Sequence, residues 1–374
     1  MLYLGKAGPA VRRPAQPGWD DMSTAGTPLI AKNPNYLRIA TEEAYAPAEM
    51  LRLYRKLLDE KGTDDPGFLS QWGYFLGQAD RMQALAERFH NLDEGRIRDM
   101  DMTGIARQIV SLTSPGVQIF DAATGTALAT SFNDQLAEAC RKHPDRFSGL
   151  AAIAPQNPAA AAKELERGVT KLGLKGAIIN SNTHGEYLDD PKFWDILATA
   201  ESLDVPIYLH PATAPRRMIG PMIEKGLEGA FYGFAVETSV HLLRMIMSGV
   251  FDRFPKLQVI AGHGGEGLPF WLCRFDLFQR NYAINNRFPH MPKLQRTVSE
   301  YIKGNIPITS SGMAWAPVIQ FCQQVLGMDR VMYAMDYPYQ FDANEVKVTD
   351  AMAISDADKK KFYQTNAERI FHLT

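Results

Sequence analysis

The chain has 374 residues, 45% of them hydrophobic and 22% charged, with a formal net charge of -2. That length and apolar content support a large buried core. The near-neutral charge gives no field for a nucleic-acid partner. Cys140, Cys273 and Cys322 lie far apart without a CxxC pair. They make no disulfide framework and read as buried apolar thiols in a reducing compartment. No apolar run is long enough to span a bilayer, and the N-terminus lacks the charged start, apolar stretch and cleavage site of a secretory signal. The expectation is a soluble, cytoplasmic protein with no membrane partner.

Residues 1–35 are rich in Pro, Gly, Ala and Arg without periodicity and read as an irregular arm, leaving 36–374 as a single domain. The apolar run 37–41 ends on Glu42, with Glu43 beside it. The next segment, 44 to about 100, is too long for a simple connection, so helices are expected there over the mouth of the fold. Strand-like runs follow at 107–113 and 148–154, then a helical stretch over 157–172 and a strand at 175–180. A helix over 193–203 leads to the run 205–209, which ends on His210. A second long insertion covers 211–256, and long segments at that end of a fold commonly carry specificity. Three more runs complete the series: 257–262 ending on His263, then 305–310, then 331–335 ending on Asp336. Eight strand-then-helix units predict an α/β protein, a (β/α)8 TIM barrel with helical insertions at its C-terminal mouth. A dinucleotide-binding fold would need GxGxxG after the first strand, and the chain there reads Glu42-Glu43-Ala44-Tyr45-Ala46-Pro47.

Four strand ends carrying Glu42, His210, His263 and Asp336 place their side chains in one mouth and predict a metal centre. Glu42, His210 and Asp336 supply two carboxylates and one imidazole, leaving positions open for a chelating substrate. Two carboxylates make the centre hard enough to favour Mn²⁺, with Zn²⁺ the competitor. Alternation along the strand allows only one of Glu42 and Glu43 to face the metal, and the local pattern does not decide which. His263, in Gly262-His263-Gly264-Gly265-Glu266, is expected to transfer protons or support the metal from beside it, with direct ligation the lesser option.

These segments resemble the amidohydrolase-related metal-dependent decarboxylases. The resemblance runs from Tyr36 to the C-terminus and is most specific at LRIATEEAY (37–45), TSPGVQ (113–118), HPAT (210–213), YGFAVET (232–238), CQQVLG (322–327) and RVMYAMDYPYQ (330–340). It implies that Glu42, not Glu43, is the first-strand ligand. Many relatives carry a histidine two residues later, where this chain has Ala44, so the manganese-type set of Glu42, His210 and Asp336 is favoured. It further implies that His263 is the strand-six histidine beside the metal and that Tyr339 contacts substrate. Arg81 is matched to a carboxylate-binding arginine. Arg274 is matched to one reaching across from an adjacent subunit, hence a homodimer or homotetramer. A guanidinium fork suits an aromatic diacid, whose second carboxylate is free.

The expected reaction is non-oxidative decarboxylation of a small ortho-hydroxy aromatic acid, with 5-carboxyvanillate going to vanillate as the leading case. Asp336 would protonate the ring carbon, with His263 and Glu266 setting its protonation state. The alternative is a hydrolase of the same superfamily acting on an ester, lactone or amide. The missing first-strand His-x-His pair and the strand-four end, Asn180 where a lysine would bridge two metals, disfavour it. A non-catalytic binding barrel would lack at least one ligand, and all three are present.

Overall fold

Runs that are apolar on both faces form strands only where both faces are covered, and parallel strands packed under helices provide that cover. The computed structural model describes residues 28–77 and 79–374, with side chains for all of these but 79–83. Among them are nine parallel strands: β1 Ile39–Tyr45, β2 Arg107–Leu112, β3 Phe147–Gly149, β4 Ala151–Ala152, β5 Ala177–Asn180, β6 Ile207–His210, β7 Val259–Ala261, β8 Ile308–Thr309 and β9 Val331–Met332. Hydrogen bonding runs in sequence order from β1 to β3 and from β4 to β9. Only Leu150 separates β3 from β4, and the two are halves of one stave. Leu150 N donates to Val110 O at 2.9 Å on one side, and Ala151 N to Gly176 O at 2.8 Å on the other. The ring closes where Thr41 N donates to Tyr333 O at 3.1 Å and Ala44 N to Tyr337 O at 2.6 Å. Eight staves and their helices make the (β/α)8 barrel.

Along the staves, Ile39, Ile109, Ile179, Ile207 and Val259 are almost wholly removed from solvent. The helices Pro158–Thr170 and Trp194–Ser202 fill the expected positions between staves. Asn157 caps the former by accepting from Ala160 N, with Pro at its first turn. Both long insertions are helical. After β1 come Ala48–Asp59, Pro66–Gly77, Ala79–His90 and Glu94–Thr103, and after β6 come Arg216–Ile223, Gly233–Met247 and Val250–Arg253. The first is pinned to the loop after β2: Trp72 Nε1 donates to Ser114 O at 3.2 Å and the Tyr54 hydroxyl to Gly116 O at 2.7 Å. Among the described residues, no helix is long and apolar enough to cross a membrane.

Most of the expected arm, residues 1–27, lies outside the described residues. Its end rests on the barrel, with Leu29 N and Ile30 N donating to Met102 O. The thiols depart from expectation: Cys322 is buried, Cys140 half-buried and Cys273 exposed, because Cys273 falls on the solvent side of helix Leu272–Ile284. The expected strand ends also shift. β1 runs past Glu42 to Tyr45, whereas β7 stops before His263 and β9 well before Asp336. His263 and Gly264 adopt positive φ, which turns the chain out of the ladder just past β7, and Asp336 adopts positive φ beyond the end of β9.

Candidate metal centre

The mouth is shaped first by a fault in β1. Ala40 pairs with Gln108 but Glu43 with Val110, so β1 carries one extra residue at Thr41–Glu42. Such a bulge re-aims side chains. It suspends the alternation that made Glu42 and Glu43 rivals for one face. Glu42 turns into the barrel mouth. Its Oε2 accepts hydrogen bonds from the Tyr208 hydroxyl and, at 3.2 Å, from the Thr309 hydroxyl. Its Oε1 is buried without a hydrogen-bond partner. Glu43 turns away, toward the backbone around Asp336.

Two imidazoles face that unpartnered oxygen. His210 Nε2 and His263 Nε2 each lie 3.4 Å from Glu42 Oε1. His210 Nδ1 is 2.8 Å from Pro211 O, which can only accept, so the proton sits on Nδ1 and the Nε2 lone pair is free. Burial lowers the pKa of His210 against the pull of Glu42 and keeps it neutral, as a ligand must be. His263 Nδ1 is held at 2.7 Å by Glu266 Oε1. Burial opposes charging of His263, whose side chain keeps 24% of its surface open to the cavity. Glu42, Glu266 and Asp336 together outweigh burial and raise its pKa to about 10. A field that draws a proton so strongly is a field for a cation.

Asp336 completes the group. A Cβ placed on Gly312 would lie 3.3 Å from His263 Cδ2 and 3.6 Å from Asp336 Oδ2, with Gln340 Nε2 at 3.2 Å. Burial and the Glu42 carboxylate push Asp336 well above the ordinary carboxyl range. Among the described residues, no three His, Cys, Asp or Glu side chains are drawn into a closed ligand shell. The 3.4 Å separations are those of groups facing a shared centre. The free Nε2 lone pair of His210, the unpartnered buried Glu42 oxygen and the nearby Asp336 carboxyl nevertheless form a donor set that fits a divalent cation.

The centre opens into a cavity of about 680 Å³, with His263, Glu266 and Asp336 on one side and Phe231, Phe234 and Phe270 on another. Its described lining contains no Arg or Lys. A larger hollow of about 920 Å³ between Lys61, Asp64, Arg216 and Arg217 contains none of these ionisable groups and is not the centre. Tyr339 stands near the mouth with its hydroxyl 2.6 Å from Thr113 Oγ1 and its ring edge-on to Phe89. Arg274 is not brought to the cavity; it is exposed on helix Leu272–Ile284 with its guanidinium 5.0 Å from the Phe278 ring. Arg81 lies on helix Ala79–His90, and its side chain is outside the described residues.

Sequence reasoning missed Tyr208, Thr309 and Gln340. Tyr208 carried a signal, since it precedes His210 by two and must share its face of β6. Thr309 and Gln340 carried none, because their roles depend on which staves meet. Gly262 had its reason hidden as well: a Cβ there would sit 2.5 Å from Glu42 Oε2. Gly262→Ala is therefore expected to cost about 1–3 kcal/mol by overpacking, read as a lower thermal midpoint. An unchanged midpoint would mean that the Glu42 carboxylate yields freely.

Comparison with known proteins places this geometry among relatives. Residues 86–373 match the Amidohydrolase family. A gamma-resorcylate decarboxylase from Rhizobium sp. (strain MTP-10005) is 34% identical over 346 residues, 90% of this chain and 98% of the relative. A crystal structure of 5-carboxyvanillate decarboxylase from Novosphingobium aromaticivorans, complexed with manganese and 4-hydroxy-3-methoxy-5-nitrobenzoic acid, superposes with a TM-score of 0.89. It is 49% identical and covers 92% of this chain and 99% of its own. A 2,6-dihydroxybenzoate decarboxylase complexed with 2,6-dihydroxybenzoate gives a TM-score of 0.77 at 33% identity, over 90% of this chain and 100% of its own.

Proposed function

The chain belongs to the Amidohydrolase family, and from that premise we propose that it decarboxylates 5-carboxyvanillate to vanillate and CO2 with Mn²⁺ at the centre just described. It is a carboxy-lyase, a metal-dependent decarboxylase of aromatic carboxylates. The observation that carries the finer reading is the unpartnered Glu42 Oε1 facing His210 Nε2 and His263 Nε2 at 3.4 Å each. Glu42, His210 and Asp336 would hold the metal, with His263 beside it and Zn²⁺ the competing ion. Manganese accompanies the aromatic acid analogue in the relative from Novosphingobium. Bound there, the cation would act as template and Lewis acid for the phenolic oxygen and its neighbouring carboxylate.

The protein's own groups then handle the proton. Loss of CO2 directly from an arene would leave a carbanion in an sp² orbital outside the π system. Protonation first avoids it. Asp336, held above the ordinary carboxyl range, gives its proton to the ring carbon that bears the carboxylate. The ring becomes a dienone, the carbon–carbon bond breaks, its electron pair restores aromaticity and CO2 leaves. One proton is consumed, and solvent returns it to Asp336. His263, fixed by Glu266, stabilises the Asp336 carboxylate that forms. Tyr339 would contact the ring. The described lining of the cavity offers no cation for a second carboxylate, so that role falls to Arg81 and to Arg274. Exposed Phe231, Phe270 and Trp271, the last of them beside Arg274, support a homodimer or homotetramer in which Arg274 serves the neighbouring subunit's cavity.

The test is an ultraviolet spectrum of the purified protein with 5-carboxyvanillate, with and without added Mn²⁺, after metal analysis. Metal-dependent conversion to vanillate with one CO2 released is expected. Bound metal with an unchanged spectrum would overturn the substrate, and water uptake without CO2 from an ester or lactone would assign a hydrolase instead.

A further inference from the structure

Asp336 has φ of +68°, a conformation that costs a residue with a Cβ about 1–2 kcal/mol. Something must hold it there. The two backbone N–H groups that flank it, those of Met335 and Tyr337, both donate to one side chain. Glu43 Oε1 accepts from Met335 N at 2.9 Å, and Glu43 Oε2 accepts from Tyr337 N at 3.2 Å. A single carboxylate thus brackets the acid on both sides in the chain.

The bracket is itself anchored. Gln108 Nε2 donates to Glu43 Oε2 at 3.4 Å, and Gln108 Oε1 accepts from Arg96 Nε at 2.6 Å. Arg96 Nη1 donates to Ala44 O at 3.0 Å, while its guanidinium lies 4.6 Å from the centre of the Tyr337 ring. Glu43 and Arg96 are both 0% exposed. Burying such a pair is costly, and an apolar residue would fill the volume more cheaply. No apolar residue, however, can accept two N–H groups at once from either side of residue 336.

We propose that Glu43 is a positioning residue whose carboxylate, braced by Gln108 and Arg96, holds Asp336 in the left-handed turn that directs its carboxyl into the cavity. The bulge in β1 makes this possible. It sends Glu42 toward the mouth and frees Glu43 to reach beneath Asp336, so two adjacent acids serve one site from different sides. The proposal rests on the reading of Asp336 as the proton donor.

Glu43→Gln tests it. The amide keeps the shape but offers one acceptor oxygen and turns an NH2 toward one of the two N–H donors. A misplaced acid predicts a fall in kcat on the order of 10- to 100-fold with KM little changed and manganese content retained. Unchanged kcat per folded molecule would overturn the proposal, as would loss of metal in Glu43→Gln alongside retention in Glu42→Gln, which would make Glu43 the ligand. Where Glu43→Gln does not fold, Gln108→Met decides. It removes the brace alone and should lower kcat by about 3-fold or more, and an unchanged kcat overturns the proposal. Asp336→Asn separates the two ideas: activity retained there sinks the acid reading, whereas an inactive Asp336→Asn beside a fully active Glu43→Gln sinks only the bracket.

Discussion

Asp336→Asn is expected to lower kcat on the order of 10²–10⁴-fold, the range that general acid catalysis supplies, while the protein still folds and still takes up manganese. The amide is close to the carboxyl in size and keeps one oxygen that can face the metal, but it has no proton to give to carbon. Environment drives the expectation. Burial and the Glu42 carboxylate push the side chain above the ordinary carboxyl range. Steady-state rates read with metal analysis on one preparation are the check. Full activity would remove Asp336 from the proton transfer. Inactivity together with absent metal would make its role that of a ligand alone.

Glu42→Gln should strike the centre from the other direction. Replacement of groups that merely support a metal ligand commonly costs 10- to 100-fold in affinity, and loss of a charged ligand is expected to exceed about 100-fold on the same scale. Manganese should fall to background after dialysis, with turnover following it. Two details sharpen this. The Tyr208 and Thr309 hydroxyls both point protons at Glu42 Oε2 and can keep an amide oxygen in the same place. The unpartnered Oε1 between the two imidazoles is the position where charge is lost. The readout is metal per chain by elemental analysis, with the competing dissociation constant of Mn²⁺. Retention of one tightly held Mn²⁺ per chain would remove Glu42 from the ligand set.

Much of the barrel was legible because its staves are near-continuous apolar runs, and buried parallel strands leave that signature. The groups at the mouth were legible for the same reason, since a polar residue that ends such a run emerges where the run stops. What could not be read was anything set by a break in the repeat. Glu42 and Glu43 competed on paper because alternation was assumed, and one extra residue in β1 dissolved the contest. The brace from Arg96 and Gln108 was invisible, since it joins a helix of the first insertion to β2 across twelve residues. Cys273 and Arg274 were misjudged in one respect and unplaced in the other, because helix Leu272–Ile284 buries no residue and its sequence has no clear apolar face. Positive φ at His263 closes off β7 just before it, and no local pattern announces that for residues other than glycine.

His263, Glu266 and Asp336 all stand in the left-handed region, with φ of +49°, +54° and +68°. At about 1–2 kcal/mol each, together they oppose folding by some 3–6 kcal/mol, against a net stability of about 5–15 kcal/mol for an ordinary domain. Relaxation of this corner runs downhill. Glycine at any of the three would relieve that strain, but at His263 or Glu266 it would also break their 2.7 Å hydrogen bond and leave a buried partner unpaired. The strain at this corner is thus paired with the contacts that hold it, and a homologue with glycine at two of these positions would have given up the groups that handle the proton.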